Sequence, residues 1–400
     1  MNIETALKEH GQDHVLAALK RLNKEERAAL ERELSEIDFS MFEQKEVCAE
    51  REISPIEGLS VEKLKARETE FFETGKEVIA QGKLVCVLLA GGQGTRLGSD
   101  KPKGMYNMGI TKNLPIFSLL IGNLLDSCKR CNAYVPLAIM TSEKNDRDTR
   151  EFFEQNGYFS YPKEYIKFFV QDMAPSVDFE GKLLFESEGR LVRSPNGNGG
   201  WYSSLCRSGI LREAPFDKAE WFNVFSVDNV LQRIADPVFL GATVKSGCAT
   251  GAKVVKKARP EERVGVLCLS QGKPCVVEYY ELSKEMANAR EDNGELRFRY
   301  GVTLNYLLSA KRLQEIANEG IPVHVVKKKI PYWNGNEVVS PEKENGYKFE
   351  TLILDMIAIM GSCLPCEIVR DYEFAPVKNK DGVDSVETAR ALLVKNGVEL

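Results

Sequence analysis

The stretch Leu84–Lys103, LVCVLLAGGQGTRLGSDKPK, constrains this chain more than any other. Leu84 to Leu89 form an unbroken apolar run, the pattern of a strand buried on both faces. The run stops at Gly91-Gly92. Gly94 and Gly98 follow, with Arg96, Lys101 and Lys103 in or just after the loop. Glycines let a backbone approach a ligand closely, so that its N–H groups can face phosphate oxygens. Arg and Lys add cationic charge at the same place. The segment reads as a nucleotide-phosphate loop at the end of a buried strand. It is not a P-loop, because no Gly-Lys-Ser/Thr follows. Nor is it the dinucleotide fingerprint, because Gly92, Gly94 and Gly98 are spaced one residue too wide.

The bulk composition excludes several classes. The 400 residues suffice for two or three domains. Lys+Arg is 54 against Asp+Glu 59, a net charge of −5, and no basic tract longer than Lys327-Lys328-Lys329 occurs, so no nucleic-acid surface is expected. No apolar run approaches the ~18 residues of a membrane span. The N-terminal MNIETALKEHGQDH is polar and lacks the apolar core of a secretion signal, so a cytoplasmic protein is expected. The pairs Cys128/Cys131 and Cys363/Cys366 have the Cys-x-x-Cys form, but they stand too far apart in sequence for the usual zinc spacing. His10 and His14 are read as one solvated helix face.

Residues 1–75 are charged and helical in pattern. Val15, Leu16, Leu19 and Leu22, then Leu30, Leu34 and Ile37, keep the spacing of a helical hairpin. From about residue 80, short apolar runs alternate with helices: a helix from Ile116, a strand Tyr134 to Met140, a helix Asp148 to Gln155, and strands at Ile166 to Val170 and Asn223 to Val227. This alternation predicts an α/β fold with a doubly wound, mostly parallel sheet. Ligands of such sheets gather at strand carboxyl ends, where the glycine loop, Gln171 and Asp228 all fall. Val264 to Leu269 and Cys275 to Tyr280 read as a hairpin around Gln271-Gly272, inside a sugar-binding part over about 240–350 with its own sheet. The expected division is 1–75 helical, 76–375 catalytic and 376–400 a short C-terminal segment.

Ten segments together resemble the eukaryotic UDP-N-acetylhexosamine pyrophosphorylases: LAGGQGTRLG, PKGMY, SPNGNGGWY, VDN, GAKVVKK, VGV, VVEYYE, KKKIPY, NGYKFE and EFAPVKN. The resemblance runs from about residue 10 to 395. It implies a nucleotide-diphospho-sugar transferase-like fold and reversible uridylyl transfer between UTP and N-acetylglucosamine 1-phosphate. The nucleophile of that reaction is already a phosphate oxygen, so no general base is needed. Catalysis should be positioning and cationic neutralisation.

By this resemblance, Leu89, Ala90, Gly91 and Gly92 contact the nucleotide through the backbone. Arg96 and Lys103 hold the departing β- and γ-phosphates, and Lys378 reaches the α-phosphate. Gln171 reads the uracil edge, and Gly197 and Asn198 make the next uridine contact. Asp228 is the Mg²⁺ ligand, with Asp355, after a strand Leu352 to Leu354, as a second. Gly265, Glu278, Tyr279 and Asn305 face the sugar. The chain departs from the family at Val302, where the family has a sugar-contacting Asn, and at Leu352 and Leu354, where it has aromatics. Val cannot make the hydrogen bond. A UDP-hexose pyrophosphorylase therefore stays open as an alternative, and a non-catalytic sugar-nucleotide-binding protein as a third. The family's C-terminal domain reads as shortened, and the oligomeric state stays open with a monomer favoured.

Overall fold

The computed structural model describes residues 3–43, 52–317 and 319–400. The chain forms two compact units: Met1–Glu50 with Asp172–Gly200 and Ile321–Ile353, and Arg51–Gln171 with Trp201–Gly320 and Leu354–Leu400. This differs from the linear division expected from sequence. The helices Val61–Ala66 and Glu68–Ala80 belong to the larger unit, while two segments from far along the chain complete the N-terminal one. Residues 44–51 of the expected helical span lie outside the described residues.

In the smaller unit, helices Ile3–Glu9, Asp13–Leu19 and Lys24–Ser35 bury Leu7, Val15, Leu19, Leu30 and Leu34 with Leu183, Leu191 and Phe349. The expected hairpin is present, and a third helix precedes it. Asn23 caps the helix that starts at Lys24, accepting from the N–H groups of Glu25 and Glu26. His10 and His14 do not share a helix. The chain breaks at Gly11 (φ +67°), so His10 stacks on Phe39 and His14 meets the edge of Phe185. They pack on aromatic rings rather than forming one solvated face.

The larger unit is built on a ten-stranded sheet. Its strands are β1 (Ile53–Ser54), β2 (Leu84–Leu89), β3 (Leu137–Thr141), β4 (Ile166–Val170), β5 (Trp221–Ser226), β6 (Thr250–Lys256), β7 (Val266–Ser270), β8 (Lys273–Val277), β9 (Tyr300–Ser309) and β10 (Cys363–Glu367). The order is β1-β7-β9-β5-β2-β3-β4, with β6 pairing β9 and β10, and β8 pairing β7. Strands β5, β2, β3 and β4 are mutually parallel. Every residue of β2 and β3 is buried, which is why both read as continuous apolar runs.

The β7–β8 hairpin turns at Gln271 (φ +50°) and Gly272 (φ +77°), the twist-matched geometry of a two-residue turn. It is not a separate sheet. The ten residues of β9 reach far enough to pair with β5, β6 and β7, so the hairpin joins the main sheet.

Helices Glu68–Ala80 and Pro237–Ser246 touch backbone to backbone. A Cβ on Gly75 would lie 1.9 Å from the Pro237 carbonyl oxygen, and one on Gly241 would lie 1.8 Å from that of Phe71. Helix Ile116–Cys131 fills the core beneath β2 with Ile116, Phe117, Leu120 and Leu124.

The Cys-x-x-Cys pairs lie on this helix and on β10. Burial raises the thiol of Cys128, and that of Cys131 to about 11. Among the described residues, no three His, Cys, Asp or Glu side chains stand together to hold a metal.

Candidate active site

Because β2, β3, β4 and β5 are parallel, their carboxyl ends open on one edge. Four polar features emerge there: the glycine loop after Leu89, Ser142 after Thr141, Gln171 after Val170, and Asp228 after Ser226. The loop is held in shape from within. The Gly94 N–H donates to the Lys101 carbonyl at 2.9 Å, and the Lys103 N–H to the Gly92 carbonyl at 3.2 Å. Leu97 is buried and anchors a short 3₁₀ turn, which leaves Arg96 on the exposed side. Gly98 (φ +77°) ends that turn in the left-handed region.

One residue missed in the sequence reading, Asn145, helps set the loop's outline. Asn145 is fully buried; it accepts from the Ser142 N–H and donates to the Ala90 carbonyl at 2.9 Å. A Cβ on Gly91 would sit 2.6 Å from Gln171 Nε2. The bare Gly91 backbone is therefore what lets the Gln171 amide lie against the nucleotide loop. Gly104 does the same for Phe117, whose ring would lie 2.2 Å from an added Cβ.

Lys103 is buried, and its Nζ lies 2.6 Å from Asp228 Oδ1. Burial is the main force lowering its pKa; Arg96 and Lys378 lower it further, and Asp228 opposes them. The three cations named from motifs thus stand within one electrostatic neighbourhood. Lys378 is half-buried, with Nζ 3.1 Å from Asp384.

Its segment is bolted to the Asp228 loop. The Val377 N–H donates to the Asp228 carbonyl, and the Val230 N–H to that of Ala375. The Asn229 side chain accepts from the Ala375 N–H and donates to the Glu373 carbonyl. From the other side, Asn123 and Ser127 of helix Ile116–Cys131 donate to the carbonyls of Val230, Gln232 and Ile234.

Asn305 belongs to this bracing. The resemblance puts it against the sugar, but it is only 1 % exposed. Its Oδ1 accepts from Asn223 at 2.8 Å and its Nδ2 donates to the Arg233 carbonyl at 3.2 Å. With both amide ends engaged inside the protein, it holds the 227–236 loop to β5 and β9. Of the other sugar-facing candidates, Gly265 and Glu278 lie near one another. A Cβ on Gly265 would meet Val276, Val302 and, at 3.9 Å, Glu278 Oε1. Tyr279, next in sequence to Glu278, is exposed and meets the Tyr280 ring edge to face.

Asp355 does not follow a strand. Leu352 to Leu354 lead into the helix Ile353–Met360, and Asp355 sits in its first turn. An apolar run of this length suits either element, and nothing in its periodicity decides between them. Gly197 and Asn198 lie in the smaller unit. Gly197 (φ +84°) approaches the Thr351 carbonyl, and Asn198 Oδ1 accepts from the Ile353 N–H.

A second buried charge cluster escaped the sequence reading. Lys253 on β6 is 2 % exposed, and its Nζ lies 2.9 Å from Asp236 Oδ2 and 2.5 Å from Glu373 Oε2. Burial works against its ammonium, but the two carboxylates together hold its pKa above the usual lysine value.

A parallel strand edge, a glycine loop and three clustered cations define a nucleotide-diphospho-sugar transferase type of protein. The chain belongs to the UTP–glucose-1-phosphate uridylyltransferase family, whose model matches residues 35–396. It is 34 % identical to human UDP-N-acetylhexosamine pyrophosphorylase-like protein 1, over 98 % of this chain and 83 % of that one. It is 35 % identical to the UDP-N-acetylglucosamine pyrophosphorylase of Saccharomyces cerevisiae, over 86 % and 76 %. The crystal structure of the uridine diphosphate N-acetylglucosamine pyrophosphorylase from Trypanosoma brucei superimposes with a TM-score of 0.84 at 28 % identity, over 99 % of this chain and 85 % of that one.

Proposed function

We propose that this chain transfers a uridylyl group from UTP to N-acetylglucosamine 1-phosphate, releasing pyrophosphate. The observation that carries the reading is the gathering of Arg96 and Lys378 about Lys103, itself paired with Asp228, at the carboxyl ends of β2 and β5. A phosphate oxygen of the sugar phosphate attacks the α-phosphorus of UTP in line. The bond from that phosphorus to the bridging oxygen breaks, and pyrophosphate leaves with the electron pair. The nucleophile arrives ionised, so no side chain needs to remove a proton. The protein's task is to neutralise charge and hold the reactants in line.

Lys103 and Arg96 take the departing pyrophosphate, and Lys378 the α-phosphate. Gln171, lying on the bare Gly91 backbone, presents an amide to the uracil edge. Lys103 is paired with Asp228 before substrate binds, which stores the cation in place.

Asp228 also fits a magnesium ion. One part-exposed carboxylate at a strand end, with no cluster of three metal-ligating side chains among the described residues, is the donor set of an ion completed by substrate phosphates. Magnesium, when bound, neutralises phosphate charge. Asp355 is the candidate for a second carboxylate.

Val302 beside Gly265 supports a second reading, in which the sugar is a plain hexose, because an apolar side chain offers no hydrogen bond to the amide of an acetamido group. We place the enzyme in the cytoplasm and favour a monomer. Nine cysteines among the described residues form no disulfide, which suits a reducing compartment, and no helix among those residues is long and apolar enough to cross a membrane.

The test is pyrophosphate release from UTP and Mg²⁺ with the 1-phosphates of N-acetylglucosamine, N-acetylgalactosamine, glucose and galactose in parallel. N-acetylglucosamine 1-phosphate should give the highest kcat/KM. A preference for glucose or galactose would move the protein to the second reading, and silence with all four would refute uridylyl transfer.

A further inference from the structure

We infer that Lys253, a residue with no place in the phosphate chemistry, is a positioning residue that sets Asp228 and Lys378 in register by joining the two segments that carry them. The inference rests on the uridylyl-transfer reading. Asp236 ends the loop that begins at Asp228, and Glu373 begins the segment that runs to Lys378. The Lys253 ammonium is bonded to both carboxylates and also donates to the Arg233 carbonyl at 3.3 Å.

The connection from this triad to the site is short. The Glu373 carbonyl accepts from Asn229, the neighbour of Asp228. The Asn229 side chain holds the Ala375 N–H, and the Asp228 carbonyl holds the Val377 N–H. Lys253 itself stands at the point where β9 carries two extra residues against β6: Ala252 pairs Tyr306 while Val254 pairs Val302. Thr303 closes that irregularity by donating to the Lys253 carbonyl. The same bulge therefore places Val302 beside Gly265 and aims the Lys253 side chain at the triad.

These contacts lead to the phosphate end of the site. The uracil end is set separately, by Asn145, Gly91 and Gln171. Loss of Lys253 should therefore damage the reacting geometry more than UTP binding.

The triad is reachable from outside. It lines a cavity of 410 Å³ whose walls include Val61, Leu64, Phe239, Ile368 and Tyr372. Lys253→Ala removes the side chain beyond Cβ, the shape of n-propylamine, and opens the space onto this cavity. The experiment measures steady-state kinetics of wild type, Lys253→Ala and Glu373→Gln, normalised to folded protein by circular dichroism. Each is run with and without n-propylamine, with n-propanol as the uncharged control.

We expect Lys253→Ala to lose roughly 30-fold in kcat with KM for UTP nearly unchanged, within the ~10²-fold that a misplacement of about an ångström costs. Propylamine should restore kcat saturably and propanol should not. Glu373→Gln, which keeps the shape and removes one carboxylate charge, should show a smaller loss of the same kind that propylamine does not repair. It decides the matter if Lys253→Ala does not fold. An unchanged kcat per folded molecule, or a loss confined to KM for UTP, would overturn the inference while leaving an active wild type. A wild type inactive with every sugar phosphate would overturn the functional reading, and this inference with it.

Discussion

Replacing Lys103 by Met separates its charge from its packing. The side chain is 7 % exposed, and its Nζ meets an Asp228 carboxylate that is itself 34 % exposed. Methionine keeps most of the buried stem, so little apolar contact is lost. The ammonium's burial penalty disappears, and Asp228 can recover water across its exposed third. Loss of a part-exposed pair costs at most about 1 kcal/mol, so the melting temperature should hardly move. Catalysis should respond very differently. A cation aimed at charge developing on the leaving pyrophosphate is worth roughly 3 kcal/mol. At 1.36 kcal/mol per decade, that loss lowers kcat/KM by about 150-fold. The assay is pyrophosphate release at saturating sugar phosphate with UTP varied, alongside thermal denaturation of the same samples. A kcat/KM within about five-fold of wild type, with a normal melting temperature, would refute the assignment of Lys103 to the leaving phosphates.

Three further outcomes follow from the geometry. Gly91→Ala should push Gln171 aside, since the new Cβ would lie 2.6 Å from Nε2; KM for UTP should rise about ten-fold, the worth of roughly one polar contact to a substrate edge, and an unchanged KM would detach Gln171 from the uracil. The lowered pKa of Lys103 should bring the alkaline limb of kcat/KM below the ordinary lysine range, because the cation is the active form. Between the folded and unfolded values the unfolded chain holds the extra proton, so this residue's contribution to stability rises with pH across that window. Lys103→Arg should move the limb upward, and a limb that stays put would assign it to another group. Gly241→Ala should destabilise by about 1–3 kcal/mol or more, because the Cβ must displace the Phe71 backbone; a denaturant midpoint equal to wild type would refute the close helix packing.

Much of the site could be read in the chain because it depends on local pattern. The apolar run Leu84–Leu89, closed by glycines, reads as a buried strand, and four glycines with Arg96 and Lys103 directly after it read as a loop fit for phosphate. The parallel alternation of strands and helices followed from the same periodicity, and it placed Gln171 and Asp228 at the same edge. What depended on distant partners could not be read. The Lys103–Asp228 pair spans 125 positions and the Lys253–Glu373 pair 120. Neither follows from spacing, because strand order and register decide which side chains meet. The same limit explains Asn305, which carries a motif's polarity but spends it on Asn223 and Arg233, and the run at Leu352 to Leu354, which becomes a helix. Hydrophobic period reports whether a residue is buried. Only the closed fold decides against what, and that decision gathered three scattered cations and one aspartate at the strand ends and set a hidden lysine between two carboxylates.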